Sequence, residues 1–207
     1  MKIKSVSTQY FDFDGRGCEL VRWIRDSELH LSESQAGFAP LDGSIVGAQY
    51  LFGTDEAANE SWVIFHGLQV IQIVPEEVHS YWHLNFAGDN HESSGVWKVE
   101  DSEWKKTFSP QHLGNHKHFI IEFYDELVEL ICRELIFGGG KFDIEQVVAQ
   151  DNRFAYAYLR RAMSQQKLEN KEQAIEYYQK YIDACPNGDS VDYARRCIKY
   201  IRTGSVS

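Results

Sequence analysis

Hydrophobic and polar positions change their period once along this chain. Residues 62–66, Trp-Val-Ile-Phe-His, and residues 68–74 are short runs of β-branched and aromatic side chains. Such runs suit a pleated, half-buried surface and predict strands. Ile45–Phe52 is a third run, behind turn signals at Pro40 and Asp42-Gly43, and 96–99 is a fourth. In 118–124, Phe119, Ile121 and Phe123 fall on one face of a strand. Segment 127–137 supports two readings. Leu127, Leu130, Ile131 and Leu135 fit a helix, whereas Val128, Leu130 and Cys132 fit a strand returning from a turn at Asp125-Glu126. The short connection of a hairpin favours the strand. Residues 18–25 fit a strand or a short helix.

Beyond residue 140 the period becomes helical. Ile144, Val147 and Val148 form one stripe in Ile144–Gln150, and Phe154, Tyr158 and Ala162 recur four apart in 154–168. Ala174, Tyr177, Tyr178 and Tyr181 share a face of Lys171–Ala184, which Pro186-Asn187-Gly188 stops. Asp189 or Ser190 can cap a last helix over 191–201, with Tyr193, Ala194, Cys197 and Ile201 as its stripe. Gly138-Gly139-Gly140 reads as a break, because glycine loses backbone entropy in any regular element. The expected fold class is α+β. A β-rich, mostly antiparallel domain over 1–137 precedes a helical hairpin domain over 138–207.

Residues 155–188 have the length and helix-turn-helix pattern of a repeated unit. Ala162, Ala174, Tyr178 and Pro186 stand where a small residue, a small residue, an aromatic and a proline recur in the tetratricopeptide repeat, which this segment resembles. Arg161, Gln165, Glu169 and Tyr181 depart from that pattern, standing where Leu, Tyr, Gly and Ala are usual. The bulk of Tyr181 implies a wider helix crossing. The resemblance implies protein–protein contact, or a structural buttress for a lone hairpin that needs cover on both faces. Asp101-Ser102-x-Trp104, with His118-Phe119-Ile120-Ile121-x-Phe123-Tyr124-Asp125-x-x-x-Glu129, resembles a pattern in uncharacterised bacterial proteins and implies no activity.

Charge adds a second asymmetry. The 207 residues carry a formal net charge of −10. Residues 1–140 hold 10 Lys+Arg against 22 Asp+Glu, and residues 141–207 hold 11 against 9. From 26 to 97, a stretch of 72 residues, there is no Lys or Arg. This balance argues against a general nucleic-acid binder. One reading is a solvated acidic surface; the other is a face that meets a basic partner. Asp55, Glu56, Glu60, Glu76 and Glu77 are the candidate loop contacts, and Trp82 the candidate aromatic anchor. Trp62 and Tyr81 lie near them, with core packing as the alternative role.

Candidate chemistry is thin. His79-x3-His83 and His112-x3-His116-x-His118 have spacings that could gather imidazoles, but no H-E-x-x-H motif or paired cysteines accompany them. No nucleophile elbow, Walker loop or dinucleotide fingerprint occurs. Gly138-Gly139-Gly140-Lys141 lacks the spacing of a phosphate loop, and Asp12-x-Asp14-Gly15 lacks the rest of a calcium loop. Cys18, Cys132, Cys185 and Cys197 are scattered, and Cys132 sits among apolar neighbours as a buried, inert thiol. Met1-Lys2-Ile3-Lys4-Ser5 lacks the apolar core of a signal peptide, so reduced thiols in a cytoplasm are expected. The expectation is a non-enzymatic binding protein, in one specific form an immunity protein or antitoxin against a basic toxin. It needs no cofactor or metal, binds no nucleic acid and contacts no membrane. A histidine-based metal-dependent hydrolase and a scaffold acting through the helical hairpin are the alternatives.

Overall fold

Alternating apolar side chains pair into nine strands among the residues described by the computed structural model, which are 2–6, 8, 18–25, 45–52, 59–75 and 95–204. The strands are β1 (Lys2–Ser5), β2 (Glu19–Arg25), β3 (Ile45–Phe52), β4 (Asn59–His66), β5 (Val70–Pro75), β6 (Val96–Glu100), β7 (Lys117–Glu122), β8 (Glu126–Cys132) and β9 (Glu134–Gly139). Two sheets result, ordered β1-β6-β7-β8-β5 and β2-β3-β4-β9. The registered pairs are antiparallel. The fold is α+β, with strands first and helices over 144–203.

The described residues form two compact units. Those within Met1–Ile24 and Ile45–Phe142 make the first, and Arg25 with those from Asp143 onward make the second. In the first unit the inward faces of both sheets share one core. Phe119, Ile121, Val128 and Leu130 come from one sheet, and Ala48, Tyr50, Val63 and Phe65 from the other. Phe119, Ile121 and Phe123 share a face, as their alternation predicts. Burial of about this many large side chains is the main favourable term of the unit. The reverse face of β7 and β8 holds a smaller cluster of Val99, Ile120 and Leu127, with Trp97 against it.

Segment 127–137 resolves into two strands rather than a helix. β8 pairs with β7 through the turn at 123–125, then Arg133 leads into β9 of the other sheet. Residues 18–25 are a strand, not a helix. The triple glycine does not break structure where it begins. Gly138 and Gly139 close β9, and Gly138 pairs with Trp62 on β4. The entropic cost of glycine is outweighed because the Trp62 ring fills the space of the missing Cβ. Two short helices, α1 (Glu103–Lys106) and α2 (Pro110–Leu113), join β6 to β7.

The second unit contains α3 (Ile144–Gln150), a 3₁₀ turn (Asn152–Ala155), α4 (Tyr156–Lys167), α5 (Lys171–Ala184) and α6 (Val191–Thr203). Asp143 caps α3 by accepting from the Glu145 amide at 3.1 Å. α4 and α5 pack through Ala162 and Ala174, both fully buried. Ser190 stands at the N-cap of α6 but makes no capping bond there. Glu169, in the α4–α5 turn, adopts φ 61°. It occupies the left-handed conformation that the usual glycine of this position reaches without steric cost.

Candidate functional site

Ser102, Trp104, His118 and Glu129 converge on the reverse face of the five-stranded sheet. His118 and Glu129 are diagonal neighbours there, because His118 pairs with Ile131 and Glu129 with Ile120 across β7 and β8. Ser102 arrives at the end of the β6–α1 connection, where Asp101 takes φ 54°. Its hydroxyl lies 2.7 Å from His118 Nδ1 and accepts the Lys105 amide at 2.9 Å, which caps α1. His118 Nε2 lies 3.4 Å from Glu129 Oε1, without hydrogen-bond geometry. Trp104 meets the His118 ring edge-on at 5.1 Å and Phe108 at 5.7 Å.

Serine, histidine and a carboxylate in this order have the composition of a nucleophilic relay. Here the three groups are held inside the fold. Ser102, His118 and Glu129 are 6%, 3% and 8% exposed, and the hydroxyl oxygen is already engaged by the Lys105 amide. The Ser102 hydroxyl and His118 Nδ1 satisfy one another, and either left alone would be buried at a cost of roughly 1–3 kcal/mol. The cluster ties α1 to the sheet. Its residues are those of the 101–129 pattern seen in the sequence, whose purpose only the strand register reveals.

Of the residues expected on the acidic face, only Glu60 is among the described residues. Asp55, Glu56, Glu76, Glu77 and Trp82 lie outside the described residues, as does Tyr81. Glu60 is described, and it is a strand residue rather than a loop residue. It is half-buried in β4, pairs with Leu51, and its carbonyl accepts the Gly140 amide at 2.7 Å. Pairing with β3 extends the apolar run 62–65 back to Asn59 and draws Glu60 into the sheet. Trp62 is fully buried and meets Phe142 edge-on at 5.9 Å, so it is a core residue.

The histidines separate in the same way. His112 is exposed on α2, His116 and His118 are buried, and His79 and His83 lie outside the described residues. Among the described residues no three His, Cys, Asp or Glu side chains gather as metal ligands. Cys132 is buried, and burial pushes its thiol up. Among the described residues no helix is long and apolar enough to cross a membrane.

The helical unit is built around tyrosines. Tyr178 is fully buried and donates to Gln166 Oε1 at 2.7 Å. Burial, with Cys197 beside it, raises its pKa well above the usual tyrosine range. Tyr181 is buried edge-on to Tyr156 at 6.2 Å. Tyr177 stacks on Tyr158 at 6.4 Å and lies under the cationic heads of Arg161 and Lys180. Lys180 also bridges Glu145 of α3 at 2.6 Å and Glu176 at 3.0 Å, which raise its pKa.

Comparison with known proteins bears on this unit alone. No curated protein and no solved structure matches the chain. Residues 156–188, which span α4, the turn and α5, match the tetratricopeptide repeat family, and a segment of that kind suggests a protein-interaction module.

Proposed function

We propose that the chain is a non-enzymatic protein-binding module whose acidic first part, residues 1–137, grips a basic macromolecular partner, with residues 138–207 as a separate helical domain. The observation that carries this reading is the 72-residue stretch without Lys or Arg. The tetratricopeptide-like segment supports a protein as the partner. Asp55, Glu56, Glu60, Glu76 and Glu77 would supply the charge and Trp82 an aromatic anchor. A basic toxin, such as a nuclease, fits this chemistry. The chain would then act as an immunity protein or antitoxin in a cytoplasm, blocking the toxin by occlusion and charge complementarity.

Capture from native extract at low and high salt identifies the partner, and association kinetics with that partner test the mechanism. The rate should fall steeply between roughly 50 and 500 mM salt as the Debye length shortens. Glu76→Lys with Glu77→Lys should slow association further. A rate that is flat with salt and indifferent to these changes overturns the acidic face. It would favour the second reading, a scaffold that docks through the α4–α5 pair.

A further inference from the structure

Two connections cross between the sheets side by side at one end of the first unit. The Arg133 amide donates to the His66 carbonyl at 2.9 Å, and the Gln69 amide to the Ile131 carbonyl at 2.9 Å. Gly67 turns there with φ 65°, and its missing Cβ leaves room for the Arg133 stem. Next to this crossing lies His116, 6% exposed and with no side-chain partner for its ring nitrogens; it precedes the last β7–β8 pair, Lys117 with Cys132, and so faces Arg133. Lys105 of α1 donates to the His116 carbonyl. Arg133 and Lys105 are both half-buried. The adjacent Glu134 is engaged by His66 Nδ1 at 3.0 Å, and among the described residues no carboxylate pairs with Arg133.

Burial, then Arg133, Lys105 and His66, hold the His116 pKa below its usual value, while the Gly67 carbonyl acts in the opposite direction. A buried imidazole with no side-chain partner, beside an arginine and a lysine that no carboxylate neutralises among the described residues, is an incomplete polar cluster. The missing member is an anion. We propose that Arg133, Lys105 and His116 form a binding site for a phosphate-class oxyanion at the end of the β unit. The Arg133 fork suits two oxygens of one phosphoryl group, and the Lys105 ammonium supplies a second charge. His116 offers a ring N–H beneath them and takes up a proton when the anion arrives. Two fixed cations and one acquired charge match a dianion better than a single carboxylate.

The experiment is an NMR titration of the His116 ring signals with inorganic phosphate near pH 7, with ionic strength held constant by sodium chloride. We expect a saturable shift and a His116 pKa that rises on binding, since the bound anion favours the charged ring. Arg133→Gln should weaken binding at least about tenfold while leaving the folded spectrum intact, and Arg133→Lys should fall between. A parallel titration with phosphoserine separates the sources. Tighter binding than phosphate assigns the site to a phosphomonoester, and equal or weaker binding to the free anion. A shift that chloride alone reproduces, that does not saturate, or that survives Arg133→Gln unchanged overturns the site.

Discussion

Trp62 and Gly138 face each other across β4 and β9, and the indole occupies the space that a Cβ at position 138 would need. Gly138 is thus a packing residue, and its flexibility is incidental. Gly138→Ala is expected to destabilise the protein by about 1–3 kcal/mol through overpacking. The measurement is a lower urea midpoint at unchanged slope. An unchanged midpoint would mean that the indole moves aside at no cost.

Glu169 holds φ 61° between α4 and α5. A side chain with a Cβ is strained there by roughly 1–2 kcal/mol, whereas glycine is not. Glycine also gives back some stability by loosening the unfolded chain. The net expectation for Glu169→Gly is a gain of about 1 kcal/mol, or a few degrees in Tm. Calorimetry of the two proteins checks the sign, and a lower Tm refutes it.

Ser102 serves two partners at once, the Lys105 amide and His118 Nδ1. Ser102→Ala removes the cap of α1 and strands a buried imidazole nitrogen. The expected cost is about 1–2 kcal/mol. Amide hydrogen exchange at Lys105 should quicken in the variant. Exchange at the wild-type rate would show that the cap contributes nothing.

Ala174 is fully buried where α5 meets α4. Ala174→Leu is expected to cost about 1–3 kcal/mol, because the three added carbons have no space to enter. Thermal unfolding followed by circular dichroism at a helix-sensitive wavelength reads the change. A neutral result would place Ala174 away from the close approach.

Much of the fold was legible along the chain, and particular residues show where legibility stopped. Ile45–Phe52 is a strand with the bounds its apolar run predicts, and Lys171–Ala184 is a helix with the bounds its stripe predicts. The α1 and α2 helices left no period to read, since four residues make barely one turn. Ser102 ahead of Glu103 is a capping signal that reading for periodicity passes over. The reading of Glu60 as a loop residue missed because strand length depends on the partner strand as well as on local propensity.

His118 and Glu129 were both visible in a sequence pattern, yet their contact was not. They meet because the β7–β8 hairpin registers Ile120 with Glu129, and a slip of one residue would send Glu129 to the opposite face. Arg133 and His116 face each other because both lie one position past the last β7–β8 pair, Lys117 with Cys132. The amino-acid order alone therefore determined what acts over a few residues: strand and helix periods, the helical pair of 156–188, and the uneven charge. Tertiary structure alone decided which buried polar groups meet and what fills the space over Gly138. Backbone preference is short-ranged along the chain, whereas register and sheet packing join residues that the chain keeps far apart.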